Sequence, residues 1–124
     1  MAESPEDVVD RLTGKYGSAL RAVATYDRDS YTLRYAGENV PEQYTPSDIE
    51  EIYEDLVVQD LNHGFQENLF NDMGEVRGKF RLFEDGTVAH FWPTSDDDGL
   101  FVALDETVDP GVRTLLSIAE EYYN

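Results

Sequence analysis

Two groups of residues in this chain could do chemistry, and a carboxylate–imidazole pair is the first. Asp60 and His63 are three residues apart, close enough for the acid to orient the ring. Counted at about 100° per residue from Ile49, the apolar residues Ile52, Tyr53, Leu56, Val57 and Leu61 cover an arc of about 180°, with Asp60 near its middle. An unpaired carboxylate there is costly to bury. Either the regular helix has ended by Asp60, with Asn62, His63 and Gly64 as its stop signal and a second short helix carrying Phe65, Leu69 and Phe70, or the pair is functional or forms a buried hydrogen bond.

The second group is cationic. Arg21 and Arg34 fall on one expected hairpin, and Arg77, Lys79 and Arg81 alternate along another strand and therefore share a face. Such a stripe could receive a phosphate, a carboxylate ligand or an acidic partner, or be neutralised across strands by the chain's own acids. His90 lies between Val88 and Trp92 on a strand face, where a satisfied or half-exposed histidine is the simpler reading than a ligand. Phe80, Phe83 and Phe91, near the stripe, read as core and edge residues.

Most other chemistries are missing. No G-x-x-x-x-G-K-[ST] or G-x-G-x-x-G cradles a phosphate, and no G-x-S-x-G presents a nucleophile. Cysteine is absent, and neither histidine has a partner at i, i+4 to hold zinc. The acidic loops Asp27-Arg28-Asp29 and Asp96-Asp97-Asp98-Gly99 lack the D-x-[DN]-x-[DN]-G calcium spacing. We therefore expect no catalytic residues, no cofactor and no metal site, only loosely held, non-specific cations.

The balance of charge is extreme: 124 residues carry 27 acids against 9 bases, a net charge of −18. Seven of the bases are arginine and two are lysine, Lys15 and Lys79. Hydrophobic residues make up 40% of the chain, which argues for a folded framework beneath the charge. The balance resembles that of proteins from the molar-salt cytoplasm of halophilic archaea, where a Debye length of about 3 Å at 1 M screens carboxylates from one another. The alternative is an acidic surface aimed at a basic partner, but the acids are spread along the whole chain. The charge opposes nucleic-acid binding. The acidic start MAESPEDVVDRL and the lack of any long apolar run predict a cytoplasmic protein without a membrane segment.

These residues need elements to position them. Helix starts are expected at Ser4-Pro5, Thr45-Pro46 and Asp109-Pro110, each a capping residue followed by proline, with Asp7 and Asp48 three residues after the first two caps. The first helix should run to about Thr13 and stop at Gly14 or Gly17; the last should present Val112, Leu115, Leu116 and Ala119 on one face. Period-two alternation predicts strands at 19–26, 31–36, 76–84, 87–92 and 100–104. Asp85-Gly86 signals a type I′ turn, and Gly99 a positive φ on re-entry to the sheet. One α+β domain over residues 1–124 follows, with a five-stranded antiparallel sheet, three helices and the order αββαβββα.

That order resembles the roadblock and profilin-like folds. The stretches Tyr26-Asp27-Arg28-Asp29-Ser30-Tyr31, Pro41-Glu42-Gln43-Tyr44-Thr45-Pro46 and Ile49-Glu50-Glu51-Ile52 resemble an uncharacterised family of small acidic haloarchaeal proteins. The roadblock resemblance implies a homodimer or heterodimer acting as a scaffold or as a regulator of a small GTPase; it assigns no residue roles. The wide apolar arc of the central helix, extended by Val58, points to packing against the sheet and against a partner, unless the segment 65–70 covers it. Tyr53, Val57, Val58 and Leu61 are the interface candidates. The expected function is a non-enzymatic, dimeric interaction or regulatory module of a halophilic cytoplasm. The alternative is a small-ligand sensor with a pocket between sheet and helix, using Arg77, Lys79, Arg81 and His90.

Overall fold

The structure, a computed structural model, describes residues 4–26, 30–37, 44–61, 69–70, 72–74, 76–91 and 99–123, with the backbone alone for 56–61 and 122–123. Helix α1 spans Pro5–Tyr16 and begins as its sequence demands. The Asp7 N–H donates to Ser4 Oγ at 3.1 Å, and the Ser4 N–H donates to the Asp7 carboxylate at 3.4 Å, with Pro5 filling the position where an N–H would be wasted. The helix continues past Gly14 and stops at Gly17, where φ is 59°. Burial of Tyr16 holds this extra turn, since its hydroxyl donates to the Pro110 carbonyl at 2.6 Å.

A single 3-10 turn, Gly17–Ala19, leads into β1 (Leu20–Tyr26) and β2 (Tyr31–Ala36). Helix α2, Pro46–Leu61, opens on a second reciprocal cap between Thr45 and Asp48, with bonds of 3.1 and 2.9 Å. It includes Asp60, so the regular helix does not end before that residue; nothing between Pro46 and Leu61 is a glycine or a further proline that would break it. Then come β3 (Gly78–Phe83), β4 (Gly86–Phe91), β5 (Gly99–Asp105) and helix α3 (Val112–Tyr123). The sheet order is β2-β1-β5-β4-β3, with every neighbouring pair antiparallel. The expected order αββαβββα is realised, and α2 carries the chain from one sheet edge to the other.

Local expectations fail at two of the connections. Asp109-Pro110 does not start α3: the Gly111 N–H donates to the Asp109 carboxylate at 3.0 Å in a local turn, Gly111 adopts φ 63°, and the helix begins at Val112. Val112 is accordingly 52% exposed instead of facing the core. The β3–β4 turn is not type I′, because neither Asp85 nor Gly86 has a positive φ. Gly86 is already in the strand, and a Cβ there would lie 2.8 Å from the Leu104 carbonyl oxygen.

The core lies on one face of the sheet. Val8, Leu12 and Tyr16 of α1 and Leu115, Ile118 and Ala119 of α3 pack on Leu20, Val23, Leu100, Val102, Leu104, Ala89 and Phe91. Phe80 meets Phe91 edge to face, with ring centroids 5.7 Å apart. Arg11 and Glu121 join the outer sides of α1 and α3 at 2.5 Å.

Tyr16 makes this junction sensitive to alkali. Burial, and then the nearby Asp109 carboxylate, push its phenol above the ordinary value of 10.0. The folded state therefore holds the proton more tightly than the unfolded chain, so the stabilisation is complete below pH 10 and is lost as pH rises through the folded value. Denaturant unfolding of wild type and Tyr16→Phe should show a stability gap that shrinks as pH is raised through this range; a constant gap would refute the assignment.

Candidate functional site

The opposite face of the sheet lies beneath α2. Strand alternation places Ala22, Ala24 and Tyr26 of β1, Tyr31 and Leu33 of β2, and Phe101 and Ala103 of β5 on this side. Gly86, Val88 and His90 of β4 and Lys79, Arg81 and Phe83 of β3 join them. The centre of that floor is built from alanine and glycine, too small to reach the helix above. A cavity of about 790 Å3 opens between them, with Tyr44, Asp48, Ile49, Glu51, Ile52, Tyr53 and Asp55 as its helix-side wall.

At the β2 side, aromatic rings carry the helix. Tyr53 packs against Tyr31 at 5.0 Å and against Tyr26 edge to face at 6.4 Å. The Tyr26 hydroxyl lies 3.4 Å from Nδ1 of fully buried His90. The Tyr26 ring in turn occupies the space over Gly99, where a Cβ would fall 2.5 Å from Cε1. Gly99 does not need a positive φ; its value is that it has no side chain to displace this ring.

At the β3 side, Arg81 reaches up to Asp55 of α2, Nη2 to Oδ2 2.5 Å. Both side chains are about 40% exposed, at 38% and 43%, so solvent screens the pair. A double-mutant cycle with Arg81→Ala and Asp55→Ala should give a coupling of about 0.2–1 kcal/mol, measured by denaturant unfolding. A value near zero in about 0.1 M salt would show that α2 is held here by packing alone.

The remaining basic candidates are dispersed. Lys79 pairs in register with His90 on the same sheet face, whereas Arg77 precedes β3 and is exposed. The Nε–H of exposed Arg34 donates to Thr25 Oγ1 at 2.9 Å. Arg21 lines the cavity beside a carboxyl cluster. There exposed Glu106 is pushed above the usual carboxylate range by loss of hydration and then by Asp105 and Asp85, including a side-chain hydrogen bond with Asp85, while Arg21 opposes the shift. Tyr53, an interface candidate, points to the sheet. The side chains of Val57, Val58, Asp60 and Leu61, and all of His63, lie outside the described residues. Leu69, Phe70 and Met73 are exposed, with the Met73 N–H donating to the Phe70 carbonyl at 2.9 Å. A pocket between sheet and helix was the alternative expectation, but of its expected polar contacts Arg77, Lys79, Arg81 and His90 only Arg81 is among the lining residues, and the small residues Ala22, Ala24, Gly86 and Ala103 that make its floor were not singled out for that role.

Five antiparallel strands, two helices on one face and a third laid across the other define a roadblock-like α+β fold. The chain belongs to the family described as domain of unknown function DUF7522, which matches residues 6–124. Its structure is similar to that of Myxococcus xanthus MglB (TM-score 0.67, 17% identity, covering 94% of this chain and 89% of that one). It is also similar to the gliding protein MglB from Thermus thermophilus (0.60, 15% identity, 98% and 90%). A third likeness is to an MglB described with a tetrameric arrangement (0.57, 16% identity, 98% and 95%). No curated protein matches the sequence. Among the described residues, no helix is long and apolar enough to cross a membrane.

Proposed function

We propose that the protein is a non-enzymatic interaction module of a halophilic cytoplasm that self-associates and serves as a scaffold or regulatory subunit. The observation that carries this reading is the exposed apolar pair on β3, the last strand in the sheet order among the described residues: Leu82 and Phe83 are 80% and 59% exposed there. Helix α2 adjoins this edge through Arg81–Asp55, so the edge and the outer face of α2 can form one continuous surface. The fold likeness to MglB, including one with a tetrameric arrangement, supports assembly as the use of such a surface. Light scattering in about 2 M KCl should give a dimer or higher assembly, and Leu82→Asp with Phe83→Asp should return it to a monomer. A wild-type chain that stays monomeric at every concentration would sink the proposal.

A second reading has its own observation. A cavity of about 790 Å3 with a mainly apolar floor fits a small-ligand sensor, since ligand pockets commonly enclose roughly 300–1,000 Å3.

A further inference from the structure

We propose that the cavity between α2 and the sheet takes an organic cation with an apolar body. This rests on the ligand-site reading and adds the chemistry of the ligand. Four tyrosines, Tyr26, Tyr31, Tyr44 and Tyr53, contribute to the walls, and the electron-rich face of a phenol ring attracts a cation. The alanine and glycine floor offers room for an apolar body, which gains from leaving water.

The charges favour the same class. Four carboxylates, Asp48, Glu51, Asp55 and Asp85, line the cavity against two guanidinium groups, Arg21 and Arg81. Both arginines already face acids: Arg81 is paired with Asp55, and Arg21 sits in the field of the Asp85–Glu106 cluster. An anionic ligand would have to compete for them. Asp48 and Glu51, nearly one turn apart on α2, leave net negative charge at the cavity wall, so a cation gains where a neutral molecule of the same shape does not.

The test compares three probes with one body: (4-butylbenzyl)trimethylammonium, 4-butylbenzyl alcohol and 4-butylbenzoate. Binding to the full chain is measured by calorimetry in about 2 M KCl, where attraction to the protein's overall charge is screened and only close contacts discriminate. The cation should bind about tenfold more tightly than the alcohol, and the benzoate most weakly. Glu51→Gln should narrow the preference between cation and alcohol severalfold while leaving the alcohol affinity in place. Ala103→Leu, or Ala24→Leu if the first does not fold, should abolish binding of both by filling the floor. Equal binding of cation and alcohol, or tightest binding of the benzoate, overturns the cation inference but leaves a ligand site standing. No binding of any probe overturns both. Unchanged cation binding in a folded leucine variant would also overturn it, by placing the probe elsewhere.

Discussion

Gly99→Ala will destabilise the protein by about 3 kcal/mol, at the top of the range for overpacking, although alanine adds only a methyl group. The added carbon would stand 2.6 Å from the Tyr26 hydroxyl oxygen and closer still to its ring, so the ring must leave. Tyr26 is 4% exposed and touches both Tyr53 and His90. Displacing it therefore removes the support of α2 and opens the ground around a buried imidazole. The measurement is a double-mutant cycle by denaturant unfolding. In a Tyr26→Ala background the same Gly99→Ala change should cost less than about 0.5 kcal/mol, because the methyl then has space. Equal costs in the two backgrounds would mean that the ring is not what excludes a side chain at residue 99.

Lowering KCl from about 2 M to about 0.1 M at pH 7 will lower the melting temperature by about 10 °C. Two like charges 10 Å apart repel by roughly 0.15 kcal/mol at 0.1 M salt in water and by roughly a tenth of that at 1 M. With a net charge of −18, a few tens of such pairs sum to a few kcal/mol, a large fraction of the ~5–15 kcal/mol that holds an ordinary domain together. For a chain of 124 residues each kcal/mol moves the midpoint by about 4 °C. Thermal unfolding followed by circular dichroism across the series measures this directly. A midpoint that does not move would remove the salt-adapted setting from the proposed function. It would also show that the acids are neutralised by their neighbours.

The two proposed surfaces make separable demands on α2. Assembly through the β3 edge and the outer face of α2 leaves the cavity side of the helix free, whereas ligand entry uses Asp48, Glu51 and the tyrosines beneath. Charge at Leu82, which points away from the cavity face, should therefore weaken assembly without changing probe affinity, and Glu51→Gln should do the reverse.

What could be read from the sequence depended on range. Ser4 and Thr45 cap their helices through bonds to residues three positions away, so Ser4-Pro5 and Thr45-Pro46 determined their starts locally. Alternation determined the strands, the element order and the sharing of a face by Lys79 and Arg81. The same local logic misled at Asp109-Pro110 and at both glycines. An Asx turn satisfies Asp109 as well as a cap would, and nothing near Gly86 or Gly99 in sequence reveals the Leu104 carbonyl or the Tyr26 ring. Only the tertiary structure decided that β5 lies between β1 and β4, that Arg81 meets Asp55, and that small residues from three strands converge under α2. The physical reason is that a cap or an alternating strand is set by neighbours along the chain, whereas a cavity depends on the summed side-chain volumes of strands far apart in sequence.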